Sequence, residues 1–78
     1  MTVKAYVLII AQPGKTREVI SRIRQVKGVQ ESHEVMGPYD IIAEIEADSL
    51  TEIPPILGDQ IRTIDGVEST TSLVTFPE

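Results

Sequence analysis

The sequence predicts an α+β fold in which a four-stranded antiparallel sheet carries two helices on one face. The segment from Ile23 to Ser32 recurs 38 residues later as Ile61 to Thr70. In each copy an apolar helical pattern ends, a Gly-Val pair follows, and a strand-like pattern begins. Short β-branched runs complete the order β-α-β-β-α-β, which gives this sheet when the crossovers are right-handed.

The four predicted strands are short runs bounded by glycine, proline or polar turns. The first is almost continuously apolar, which is typical of a central strand. The second carries Glu31, His33 and Glu34, and such charges are typical of an edge strand that resists further pairing. The predicted strands cover residues 3–11, 29–36, 39–47 and 67–76.

The two predicted helices each present one apolar face. The first covers residues 15–27. The second begins with a loose turn at the capping box Ser49 to Glu52 and becomes regular near the two prolines that follow it. Gly28 and Gly66 end the two helices. The predicted arrangement is the ferredoxin-like sandwich.

Composition narrows the range of functions. The 78 residues, which we expect to form one domain over 1–78, contain no cysteine and a single histidine, so we expect neither a disulfide nor a metal site. The net charge of -5 argues against direct contact with nucleic acid. No apolar run approaches the roughly 20 residues of a membrane span, and no signal peptide is evident, which predicts a cytoplasmic protein.

The uncovered face of the predicted sheet is apolar. A domain this small buries a modest core, and self-association is the usual support when disulfides and metals are absent. We therefore expect two sheets to pack face to face in a homodimer. The predicted interface residues are Tyr6, Leu8, Ile10, Ile42, Val74 and Phe76.

Two polar motifs are candidates for binding. Gly37-Pro38-Tyr39-Asp40 is either a simple turn, in which Asp40 bonds turn amides, or a ligand site in which that carboxylate accepts from an amine. The run Ser69 to Ser72 is either a polar strand or a second part of such a site. Pro13 to Thr16 resembles the end of a phosphate loop, but Ile9 stands where that motif needs glycine.

These motifs together resemble the effector-binding domain, or RAM domain, of the Lrp/AsnC family of transcription regulators, over residues 3–76. The resemblance rests on the apolar first strand, both Gly-Val closures, the Gly-x-Tyr-Asp turn and the hydroxyl-rich last strand. It implies a dimer formed through the sheets, rings of about eight subunits, and an amino-acid effector at subunit interfaces. The effector residues it implies are Gly37, Tyr39 and Asp40, with Thr70 and Ser72 nearby.

One departure from the family concerns the N-terminus. Family regulators carry a helix-turn-helix domain before this module, whereas Met1 stands directly before the first predicted strand. The resemblance therefore implies a stand-alone ligand-binding module without direct DNA contact, cofactor or metal. Its partners would be a second copy of itself and a full-length Lrp/AsnC regulator.

Three functions remain open on the sequence. The first is a non-enzymatic, ligand-responsive oligomer. The second is a small cofactor-free dimeric enzyme, an oxygenase or isomerase, for which His33, Tyr39 and Asp40 are the available acid or base groups. The third is an interaction module that binds no ligand.

Overall fold

A computed structural model describes residues 2–76 of the chain. Met1, on which the expectation of a chain without a preceding domain rests, lies outside the described residues. The elements in chain order are β1 (Val3–Ala11), α1 (Thr16–Ile23), β2 (Val29–Glu34), β3 (Ile41–Ala47), a second helical segment α2 (50–61) and β4 (Val67–Val74).

The strands form one sheet in the order β2-β3-β1-β4, and every neighbouring pair is antiparallel. This confirms the predicted ferredoxin-like α+β fold. The apolar strand β1 lies between β3 and β4, and the charged strand β2 lies at an edge, as its composition predicted. The other edge strand is β4.

The core lies between one face of the sheet and the two helical segments. Because side chains alternate along a strand, every second residue of β1 and β3 points to the helices. The helices contribute the apolar faces expected from their spacing. The buried core consists of Ala5, Val7, Ile9, Ala11, Val19, Ile20, Ile23, Ile41, Ala43, Ile45, Ile53 and Ile61.

The second helical segment differs from the regular helix that the apolar spacing predicted. It passes from a 3-10 turn (Leu50–Glu52) through one α-helical turn (Ile53–Pro55) into a π-helical stretch (Ile56–Ile61). Its two adjacent prolines have no backbone N–H, so they cannot donate to the preceding turn. At the far end the Arg62 amide donates to the carbonyl five residues earlier, over 2.9 Å. The prediction of regularity was therefore wrong.

Gly28 and Gly66 have the left-handed backbone that the repeat predicted, but the prediction that they end the helices was wrong. They lie five residues beyond the last helical residues, Ile23 and Ile61. Gly28 has φ of +101° and Gly66 has φ of +99°, a left-handed conformation that favours glycine. In each copy the valine amide after the glycine donates to the carbonyl three residues earlier, over 3.2 Å and 3.1 Å. The repeat is therefore present in the structure as well as in the amino-acid sequence.

Candidate functional site

The turn before β3 is held to the end of β1 by Asp40. The Ala11 amide donates to Oδ2 of Asp40 over 2.9 Å, and the Asp40 amide donates to the Ile9 carbonyl over 2.9 Å. Gly37 has φ of +147°, and a Cβ added there would meet nothing within 4 Å. Asp40 thus fixes the turn, while the backbone at Gly37 and the half-buried side chain of Tyr39 border open space.

Thr70 and Ser72 lie on β4 and away from this turn. They pair with Ile9 and Val7, whose side chains are fully buried towards the helices. The two hydroxyls therefore belong to the helix side of the sheet. Thr70 flanks Ile9 on one side and Asp40 flanks it on the other, so two strand spacings, about 10 Å, separate them. One chain does not bring the five predicted effector residues together.

The structure adds two arginines that the sequence interpretation missed. Nε of Arg62 donates to the Thr70 hydroxyl over 3.2 Å, and Nε of Arg24 donates to the Ser32 hydroxyl over 3.0 Å. The two pairs occupy equivalent positions in the 38-residue repeat. The repeat itself was the signal that could have found them, because each copy offers an arginine and a hydroxyl eight residues apart.

The sheet face away from the helices, called here the open face, carries four of the six predicted interface residues: Tyr6, Leu8, Ile10 and Ile42. Their side chains are all partly exposed. In the sheet Leu8 stands between Ile42 on β3 and Thr71 on β4. An apolar strip therefore runs across the middle of this face.

Val74 and Phe76 do not lie where the alternation placed them. Val74 pairs with Ala5 and so points to the helix side, whereas Leu73 pairs with Tyr6 on the open face and is 56% exposed. The cause is a register shift at Ile10 and Ala11, because one extra residue reverses the face of everything that follows it. Phe76 lies beyond the end of β4.

The polar end of the open face is centred on Glu44. The Tyr6 hydroxyl donates to Oε1 of Glu44 over 3.1 Å, and Nζ of Lys4 lies 4.0 Å from the same oxygen. The hydrogen bond to Glu44 and the negative charge of that carboxylate raise the pKa of the Tyr6 phenol above its ordinary value of 10.0. The phenol therefore stays protonated, and donates, at neutral pH.

Two grooves are described on the surface. The first, called here the β2-edge groove, has a volume of about 260 Å³ and is lined by Arg24, Val29, Gln30, Glu31, Ser32 and His33. The second has a volume of about 480 Å³, lies beside Glu46 and Ile56 at the end of β3, and shares Gln30 with the first. Neither is lined by the turn before β3 or by Thr70 and Ser72. His33 and Asp40 therefore share neither of these two grooves.

Within residues 2–76 no group of three or more histidine, cysteine, aspartate or glutamate side chains is arranged to hold a metal ion. Over the same residues, every helix is too short or too polar to cross a bilayer.

The fold and these surfaces define a small ferredoxin-like α+β domain with an apolar open face and a polar turn at one end of its central strand. The chain belongs to the Lrp/AsnC ligand binding domain family, whose model matches residues 4–78. This confirms the family resemblance of the sequence.

Relatives and solved structures agree with this membership. An HTH-type transcriptional regulator of Pyrococcus horikoshii is 39% identical over 75 residues, covering 92% of this chain and 50% of the regulator. The chain thus spans about half the length of the curated regulators it matches. A crystal structure from Thermus thermophilus superposes with a TM-score of 0.92 at 28% identity, covering 97% of this chain and 95% of that chain.

Two further similarities involve proteins of other kinds. A transcriptional regulator of Neisseria meningitidis, solved as a complex with L-Met, shares the fold with a TM-score of 0.85 at 15% identity, covering 97% of this chain and 51% of that chain. A homocitrate synthase of Sulfolobus acidocaldarius is 43% identical over 60 residues, which is 76% of this chain and 13% of the enzyme.

Proposed function

We propose that this chain is a non-enzymatic regulatory module that binds an amino acid or a similar small metabolite between its subunits. The observation that carries the proposal is the match of the ligand-binding family over residues 4–78, almost the whole chain. The L-Met complex of the Neisseria relative supports an amino acid as the ligand class.

The position of the predicted effector residues favours a site shared between chains. The turn Gly37 to Asp40 borders open space, and Thr70 and Ser72 lie across β1 from it. A ligand that contacts both groups needs a second chain to bring one group to the other. Binding there would couple the ligand to assembly, because a ligand that prefers one oligomer shifts the population towards it.

The proposed homodimer uses the open face. Its strip of Leu8, Ile10 and Ile42, extended by Leu73, is apolar surface on a domain that lacks disulfides. Burying such surface contributes about 25 cal/mol per Å², which supplements the small core. Rings of dimers, as the family resemblance implies, would add the contacts between dimers at which the effector sits.

The proposed biological role is to modulate Lrp/AsnC-type transcription regulation in the cytoplasm. The curated regulators that the chain matches carry the HTH-type designation and are about twice its matched length. Co-assembly with such a full-length relative, or buffering of its effector, would let the module act without touching DNA itself.

The similarity to a homocitrate synthase favours a second candidate. The matching segment is a small fraction of that enzyme, which is the pattern expected of a regulatory module attached to a catalytic chain. In this alternative the chain would transmit an amino-acid signal to an enzyme rather than to a transcription regulator.

The test measures molar mass by light scattering and affinity by calorimetry, with each of the twenty L-amino acids. We expect a dimer or larger assembly and binding of at least one amino acid. Asp40→Asn is the informative variant, because the amide oxygen can still accept from Ala11 while the negative charge is lost. We expect at least about a tenfold loss of affinity, as for a charged hydrogen bond.

Asp48→Asn is the matched control, because this exposed carboxylate lies at the other end of β3. It should leave binding unchanged. A wild-type chain that stays monomeric and binds none of the twenty amino acids would overturn the proposal.

A further inference from the structure

The polar end of the open face carries more negative than positive charge. Glu31 on β2 and Glu44 on β3 are register partners, so two like charges stand directly opposite each other, an arrangement that is unfavourable in a sheet. Glu46 lies two residues further along β3, in register with Lys4. Among the described strands, three carboxylates therefore share this end of the face with one lysine.

Glu44 is largely buried within this face even in a single chain. Its side chain is 18% exposed, whereas that of Glu31 is 64% exposed. Oε1 of Glu44 accepts from the Tyr6 hydroxyl over 3.1 Å and lies 4.0 Å from Nζ of Lys4. Within residues 2–76 no hydrogen bond from the protein reaches Oε2. The chain itself thus holds one oxygen of this carboxylate, and the other depends on water.

A dimer formed through the open face would cover Glu44. A stable interface buries about 800 Å² on each partner, and the apolar strip supplies less than that because its side chains are only partly exposed. Tyr6 and Glu44 form the next row of side chains beside Leu8 and Ile42, about 7 Å away along the strands. The interface therefore extends over this row and excludes water from Oε2.

Loss of this water decides how the carboxylate affects association, because desolvation disfavours its charged form. The hydrogen bond from Tyr6 and the attraction of Lys4 favour the charge, but the single chain already makes both contacts. Any strengthening of these contacts in a drier interface is opposed by repulsion from Glu31 and Glu46. His33 lies 3.8 Å from Glu31 and offsets that repulsion only when it is protonated.

We infer that the charge of Glu44 weakens the open-face dimer, so that proton uptake by this carboxylate tightens it. The inference rests on the proposed homodimer and adds its regulation by pH. The dimer holds the proton more tightly than the single chain does, so its dissociation constant falls as pH falls. At neutral pH the charge keeps the subunits exchangeable, which is what co-assembly with a relative requires.

The experiment measures the dimer dissociation constant by sedimentation velocity at about pH 7.5 and about pH 5.5, in about 0.5 M NaCl to screen the net charge of the chain. We expect the dissociation constant of the wild type to fall at least about tenfold over this range. Glu44→Gln keeps an acceptor for Tyr6 and removes the charge. It should dimerise at the higher pH as tightly as the wild type does at the lower pH.

Asp48→Asn is the matched control, because it removes the same charge from an exposed position beyond the end of β3. This variant should keep the pH profile of the wild type. Tyr6→Phe keeps the charge of Glu44 and removes the donor that favours it, so its dimer should tighten at a higher pH. This second variant tests the inference if Glu44→Gln fails to fold.

Two outcomes separate the inference from the proposed function. A wild-type dimer with the same dissociation constant at both pH values, or a Glu44→Gln dimer no tighter than the wild type at the higher pH, would overturn the inference and leave the proposed homodimer intact. Wild-type and Glu44→Gln chains that both stay monomeric at every pH would overturn both.

Discussion

The two copies of the repeat fold alike but join different helices to different strands. Each has a glycine with φ near +100° five residues after its last helical residue, and in each an arginine donates to a strand hydroxyl eight residues later. The first copy joins the regular helix α1 to the charged strand β2. The second joins the irregular α2 to the uncharged hydroxyls of β4. The shared features build the sandwich, and the differences set what each edge of the sheet can contact.

The glycine closures offer the largest effect that separates the copies. A Cβ at Gly66 would lie 2.9 Å from Cγ2 of Val19 and 3.0 Å from Cβ of Lys15, whereas one at Gly28 would lie 3.2 Å from the flexible tip of Ile56. In both alanine variants the positive φ should lower the free energy of unfolding by about 1–2 kcal/mol. Gly66→Ala adds overpacking and should cost roughly 2–4 kcal/mol in total.

The measurement is the free energy of unfolding from urea titrations of both variants beside the wild type. Equal losses of unfolding free energy would mean that Gly28 and Gly66 tolerate alanine equally well. The closer packing around Gly66 would then not contribute to the cost of the substitution.

The arginine-hydroxyl pairs should differ by a smaller amount. Ser32 is buried, whereas Thr70 is partly exposed and its bond is open to water. Ser32→Ala should therefore cost about 1 kcal/mol. Thr70→Val, which keeps the β-branched shape and removes only the hydroxyl, should stay within about 0.5 kcal/mol of the wild type. The same urea titrations test this, and a larger loss at Thr70 would reverse the ranking of the two copies.

The smallest effect concerns Tyr6, which lies on β1 between the two copies and bonds Glu44. Its raised pKa means that the folded protein holds the phenol proton more tightly than the unfolded chain. The resulting stability is fully present below pH 10 and is lost as pH rises through the folded pKa. In Tyr39→Phe protein Tyr6 is the remaining tyrosine, so absorbance at alkaline pH follows it alone. A midpoint at or below 10 would contradict this, and Tyr6→Phe should remove the alkaline loss.

The sequence was sufficient for the architecture because each element carried its own local signal. The bounds of β1, the left-handed backbone of Gly28 and Gly66 and the charged edge strand were predicted correctly, whereas both helices end five residues before those glycines. The irregularity of α2 could not be predicted from its apolar spacing. Two adjacent prolines alter the backbone hydrogen bonds of the helix without altering the pattern of Ile53 and Ile61.

The candidate site was less accessible to such reasoning. The alternation of residues along β4 predicted that Val74 lies on the open face. A register shift near Ala11 turns Val74 to the helix side, and the sequence of β4 gives no sign of that shift. The turn at Gly37 to Asp40 could be recognised from its residues. The pairing of Arg24 with Ser32 depends on how α1 lies over β2, and only the repeat hinted at it.

The two edges of the sheet also differ in how they are protected. Strand β2 carries Glu31 and Glu34, and like charges of this kind discourage a second strand from adding to it. Residues 69–76, along and beyond β4, contain no charged side chain. Uncharged, β-prone segments at a free edge are the usual starting points of aggregation. The sheet thus has one edge strand that its charges protect against further pairing and one that lacks this protection. Any assembly that covers β4 would also keep the protein from forming fibrils.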